Sequence, residues 1–137
     1  MASEDVTLAT TCYEAALDVA PDITIMVLAA TPMEQAVRAL GCAWVGEIFA
    51  DRPYNDDATL VDRSLPGAVI HDASHACDRI VAMVKAGAII AQSGAQIPAR
   101  IDTICLHGDT PEAVEIARSV RAGLTAAGIT VDKFAAA

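Results

Sequence analysis

Residues 101–111 read Ile101-Asp102-Thr103-Ile104-Cys105-Leu106-His107-Gly108-Asp109-Thr110-Pro111, and this stretch decides the fold class. Its first six residues are a short apolar run with β-branching, which predicts a strand. A polar turn follows, and Pro111 suits the first turn of a helix. Ala113, Ile116, Ala117, Val120 and Leu124 then recur at helical spacing, predicting a helix over 111–127 closed by Gly128. A strand that runs straight into a helix is the repeating unit of a parallel α/β fold.

The same alternation extends outward in both directions. Residues 4–20 predict a helix with Val6, Ala9, Cys12, Tyr13, Ala16 and Leu17 on one stripe, capped by Ser3 and ended by Pro21. Residues 23–28 predict a strand buried on both faces. Pro32 opens a helix to Leu40 with Gly41 as its C′ residue, and residues 43–49 predict a second strand. A polar loop fills 50–67. The apolar run Ala68-Val69-Ile70 precedes a helix over 74–86, closed by Gly87, and 88–98 predict a hairpin around Ser93-Gly94. A last strand is expected at 129–134, with Ala135–Ala137 frayed. The expectation is a single domain over 1–137, with mainly parallel strands alternating with helices.

Composition narrows the function classes. The 137 residues are 54% hydrophobic, which excludes intrinsic disorder. There are 29 alanines and only 4% aromatics, suited to close-packed helices. A net charge of -9 offers no basic footprint for nucleic acid. The longest apolar stretch, 23–30, is far short of a membrane span, and the acidic start Met1-Ala2-Ser3-Glu4-Asp5 is unlike a signal peptide. The expected location is cytoplasmic. Cys12, Cys42, Cys77 and Cys105 form no C-x-x-C pair and are expected to be buried thiols.

In parallel α/β folds the chemistry gathers beyond the carboxyl ends of the strands. There this chain places His107 and Asp109 after one strand, and Asp51, Arg52 and Tyr54 after another, whose interior holds Glu47. His107 is a titratable ring at a strand end, suited to proton transfer. Asp109 has a structural alternative, a capping box with Glu112. Arg52 is suited to clamping a carboxylate or phosphate, and its alternative is an ion pair with Glu47 or Asp51. His71 follows a short apolar run, with Asp72 or Ser74 as a helix cap and His75 as an exposed helix residue. His71 and His75 stand four apart, but no metal site is expected. The chain has no P-loop, G-x-G-x-x-G or G-x-S-x-G.

Four blocks carry a resemblance. Glu47-Ile-Phe-Ala-Asp-Arg-Pro-Tyr54, Gly67-Ala-Val-Ile-His71, Ile97-Pro98 and Asp102-Thr-Ile-Cys-Leu-His-Gly-Asp-Thr-Pro111 closely resemble the LamB/YcsF family, the A component of the bacterial ATP-dependent 5-oxoprolinase. The resemblance implies a distorted, deacetylase-like β/α barrel, of which this chain is the C-terminal half. It implies opening of 5-oxoproline to L-glutamate with ATP hydrolysis, with ATP and Mg as cofactors and 5-oxoprolinase subunits B and C as partners. It places Glu47, His107 and Asp109 as catalytic residues, and Arg52, Asp51 and His71 as substrate-binding residues.

Several family features are absent or changed. Family members are about twice as long, and their N-terminal Asp-Leu-Asn-x-Asp-x-Gly-Glu, Ala-Cys-Gly-Phe-His and Lys-Pro-His-Gly-Ala-Leu-Tyr-Asn segments are missing. Met1 therefore reads as an internal methionine of a longer ancestor. A separate N-terminal half or self-association is expected to complete the barrel. The alternative is an inactive half-barrel that serves assembly or binds small carboxylates. Ala29-Ala30-Thr31 stands where the family has a Gly-Ser type turn, and Pro53 replaces the commoner Ala.

Overall fold

Strand and helix alternate through most of the chain in a computed structural model that describes residues 2–133. The elements are α1 (Val6–Val19), β1 (Ile25–Leu28), α2 (Pro32–Leu40), β2 (Trp44–Phe49), α3 (Ala73–Ala86), β3 (Ala88–Ile90), β4 (Gln96–Pro98), β5 (Thr103–Cys105) and α4 (Ala113–Ala126). β1, β2 and β5 form a parallel sheet in that order, and β3 and β4 form the expected antiparallel hairpin. Among the described residues no sheet closes into a barrel. No helix among them is long and apolar enough to cross a membrane.

The strand register sorts the side chains into two faces. Ile25, Val27, Trp44, Gly46, Ile48 and Ile104 share one face. The helices pack there. Ile25, Val27 and Trp44 meet Val37 of α2 and Tyr13 and Leu17 of α1. Ile48 and Ile104 join Ile80 and Met83 of α3 and Ile116 and Val120 of α4. Met26, Leu28, Val45, Glu47, Phe49, Thr103 and Cys105 share the other face. Of these only Val45 is fully buried, and Met26 is 44% exposed. Parallel sheets are nearly always covered on both faces, so this half-open face is the main departure from an ordinary α/β domain. It also corrects the expectation for β1, which is buried on one face only.

Two glycines mark close approaches. A Cβ on Gly46 would run into the carbonyl oxygen of Arg100, where the chain crosses β2 before β5. A Cβ on Gly123 would run into Cys77 Sγ, so the α3–α4 contact depends on this hydrogen.

Local expectations need four further corrections. α1 is capped by Asp5, not Ser3, because the Asp5 carboxylate accepts from the Thr7 and Leu8 N–H groups. α4 begins at Ala113 with no side-chain cap, so Asp109 and Glu112 form no capping box. Residues 129–133 form no strand, and β5 stays unpaired on its outer edge. Cys12 is exposed and the other three thiols are half-buried, because α1 packs against α2 and buries only Ala9 fully. Asp72 caps α3 as expected, accepting from the His75 N–H. The readings of Met1 and of 134–137, including frayed Ala135–Ala137, lie outside the described residues.

Candidate functional site

The carboxyl ends of β2 and β5 lie side by side, with Glu47 opposite Thr103 and Phe49 opposite Cys105. This register brings the segments after both strands to one rim. There His107 Nδ1 stands 2.9 and 2.8 Å from the two carboxylate oxygens of Asp51. A carboxylate only accepts, so Nδ1 donates to Asp51 and Nε2 is the nitrogen left to exchange a proton with the site. Asp51 is only 5% exposed, and the edge of Phe49 meets the imidazole at 5.0 Å between centroids. The ring is thus held from two sides. Its Nε2 faces Cys105 Sγ at 3.9 Å.

Glu47 completes the cluster on the half-open sheet face. Burial holds its carboxyl above the usual carboxylate range, and the charge of His107 and the Cys105 thiol oppose that rise. The Cys105 thiol is pushed up to about 11, by burial first and then by Glu47 and Asp51. The rim therefore combines an imidazole with one nitrogen free to exchange a proton, a carboxyl disposed to hold a proton and a protonated thiol.

The loop after β2 is built rather than loose. Arg52 is 7% exposed, and its Nε donates to the Ala68 carbonyl at 2.8 Å and its Nη2 to the Val61 carbonyl at 2.6 Å. Its guanidinium thus draws the loop's two ends together, and no ion pair with Glu47 or Asp51 is formed. Tyr54 is fully buried and its hydroxyl accepts from the Phe49 N–H at 2.7 Å, while burial pushes the phenol up to about 12. Arg79 of α3 donates to the carbonyls of Ala50 and Arg52.

Asp109 and His71 lie farther out on the same rim. Asp109 meets Arg63 at 3.4 Å, and His71 meets Glu112 at 3.2 Å, both across the gap between the β2–α3 and β5–α4 loops. So Glu47, Asp51 and His107 gather with Cys105, Arg52 shapes the loop beside them, and Asp109 and His71 tie the two loops together. Sequence reasoning missed Cys105, Arg63 and Arg79 as parts of this site. Only Cys105 left a signal: it is two residues before His107 and shares a strand face with Thr103.

The residues do not fit a nucleotide with its Mg ion. Arg52 and Arg79 bond to backbone carbonyls, and among the described residues no group of three or more His, Cys, Asp or Glu side chains could hold a metal ion. A groove of about 1120 Å³ lies between β5 and α4, lined by Ile104, Leu106, Val114, Val120 and Leu124 among others, but not by Glu47, Asp51, Cys105 or His107.

Comparison with known proteins supplies the relatives. The model of the LamB/YcsF family matches residues 1–137. The chain is 64% identical over 134 residues to the 5-oxoprolinase A subunit of Ruegeria pomeroyi, covering 98% of this chain and 53% of that protein. It is 47% identical over 135 residues to the 5-oxoprolinase A subunit of Rhodopseudomonas palustris, again covering 98% and 53%. The crystal structure of a lactam utilization protein from Thermus thermophilus matches with a TM-score of 0.82 and 35% identity, over 97% of this chain and 53% of that one. The chain spans about half the length of the curated relatives it matches.

Proposed function

Because the chain belongs to the LamB/YcsF family, we propose that it acts as the A-type component of an ATP-dependent 5-oxoprolinase, opening 5-oxoproline to L-glutamate. The observation that carries this reading is the Asp51–His107 pair beside Glu47, at the carboxyl ends of two parallel strands, in a chain 64% identical to a protein named as the A subunit of 5-oxoprolinase. In the proposal His107 Nε2 takes and returns the proton at the reacting lactam. Asp51 fixes its tautomer and orientation. Glu47, whose carboxyl is raised by burial, keeps its proton and offers it as a hydrogen bond to the lactam carbonyl oxygen. Arg52 shapes the loop that borders the substrate, and Asp109 and His71 hold the rim closed.

Because these residues do not fit the nucleotide, no step here runs through ATP. The proposal places ATP and Mg elsewhere in an assembly with subunits B and C. It also supplies a cover for the half-open sheet face, either a separate polypeptide carrying the rest of the family fold or a second copy of this chain. Support comes from the two open edges of the parallel sheet and the exposed Met26.

The test is ATP-dependent glutamate release from 5-oxoproline, with and without subunits B and C and a polypeptide carrying the part of the relatives' length that this sequence does not span. Activity is expected only on reconstitution, and His107→Ala should lower it by about 100-fold or more. Full activity in that variant removes His107 from the mechanism. No activity in any combination, with the complex nonetheless formed, favours an inactive assembly module.

A further inference from the structure

Cys105 has a setting that proton transfer by His107 alone does not use. Its Sγ lies 3.9 Å from His107 Nε2, while His107 Nδ1 is held by both oxygens of a nearly buried Asp51. This is a thiol, an imidazole whose second nitrogen faces that thiol, and a carboxylate that fixes the imidazole. Cys105 and His107 stand two residues apart at the end of β5, and the parallel pairing of β5 with β2 brings Asp51 to them. Cys105 is half-buried on a sheet face that no helix among the described residues covers, which leaves a side from which a carbonyl compound can approach. The other half-buried thiols differ: Cys42 Sγ points at the Val37 carbonyl and Cys77 Sγ lies against Gly123.

We propose that Cys105 is a nucleophile that attacks carbonyl carbon, with His107 as its base and Asp51 as the group that orients the base. As Sγ bonds to the carbonyl carbon, the thiol proton passes to His107 Nε2. The carbon–nitrogen bond of a lactam then breaks, and the nitrogen leaves with the electron pair and takes the proton from Nε2. The product is a thioester carrying a free amine on the same molecule. Water attacks the thioester carbon and gives its proton to Nε2. Sγ leaves with its electron pair and recovers that proton, releasing the carboxylic acid.

The geometry asks for a protonated nucleophile activated during attack, as with a serine hydroxyl, rather than a standing thiolate. The setting agrees, because burial first, and then Glu47, to which the thiol also donates, and Asp51 disfavour negative charge on sulfur. The lactam as electrophile rests on the function proposed above. The thiol, base and orienting carboxylate do not.

The experiment therefore uses an ester that needs no ATP and no partner. The purified chain is mixed with p-nitrophenyl acetate, nitrophenolate release is followed, and the acetylated residue is located by peptide mass mapping. The expected result is a burst that places acetyl on Cys105. Cys105→Ala should abolish it, His107→Gln should slow it by about 100-fold, and Cys12→Ser should leave it unchanged. Circular dichroism checks that each variant is folded. Cys105→Ser supplies a second measure, since a base-assisted site should still acetylate the new hydroxyl. An acetyl group on any other residue, a burst that survives Cys105→Ala, or an unchanged rate in His107→Gln overturns the proposal. Acetylation of Cys105 with no glutamate release on reconstitution sinks only the lactam reading. Glutamate release at the unmodified rate from Cys105→Ala sinks only the nucleophile.

Discussion

Replacing Arg52 by lysine separates two roles for that side chain. Its guanidinium donates to the Val61 and Ala68 carbonyls at 2.6 and 2.8 Å while only 7% exposed. Hydrogen bonds from a charged donor contribute about 1.5–3 kcal/mol each. Lysine keeps the charge but has a single ammonium, which cannot span two carbonyls in fixed directions. One bond is lost and one buried carbonyl is left without its donor, so Arg52→Lys should cost about 2–4 kcal/mol. At roughly 2.1 cal/mol/K per residue, unfolding entropy for this length is about 0.3 kcal/mol/K. The midpoint of a thermal melt should therefore fall by about 7–13 °C. Limited proteolysis of the still-folded variant should show new cuts between residues 55 and 67. A melt within about 2 °C of the unmodified chain and no new cuts would refute this account. Weakened binding of 5-oxoproline with an unchanged melt would make Arg52 a substrate clamp instead.

Three further outcomes follow from packing and charge. Gly123→Ala forces a methyl into Cys77 Sγ and should cost about 1–3 kcal/mol in urea unfolding. Adding Cys77→Ala should recover most of it, and additive losses would show that the two sites do not touch. Ala30 sits at φ 59, in the left-handed region that favours glycine. Ala30→Gly should therefore raise stability by about 0.5 kcal/mol, the relief of strain exceeding the added unfolded-state entropy; a lowered urea midpoint contradicts this. The Glu47 carboxyl is raised mainly by burial, so the folded chain binds that proton more tightly than the unfolded chain. Stability from this group is present at low pH and is lost as pH rises through the folded value. Glu47→Gln should accordingly gain more in thermal midpoint at pH 8 than at pH 4, and the reverse order would show a Glu47 stabilised as the anion.

Much of the element order was legible because helix and strand periods are local. Apolar spacing located every element from 4–20 to 111–127, and Gly41 and Gly87 end α2 and α3 in the left-handed conformation that their positions predict. Errors arose where a neighbour decides the outcome. A continuous apolar run at 23–28 implied two buried faces, yet only one face of β1 meets helices. Residues 129–133 read as a strand but have no pairing among the described residues. Local spacing offers Arg52 a ligand anion or the nearby Glu47 and Asp51, yet it bonds to carbonyls 9 and 16 positions away.

The sequence by itself determined an α/β chain of the LamB/YcsF family and the residues that follow each strand. Periodicity, caps and ordered blocks are all read within a few positions along the chain. Only the tertiary structure decided that β2 lies between β1 and β5, that helices cover one sheet face alone, and that His107 meets Asp51 across 56 residues with Cys105 at its other nitrogen. Those outcomes depend on strand register and on which surfaces pack together. Register is a property of pairs of distant segments, and no local pattern carries it.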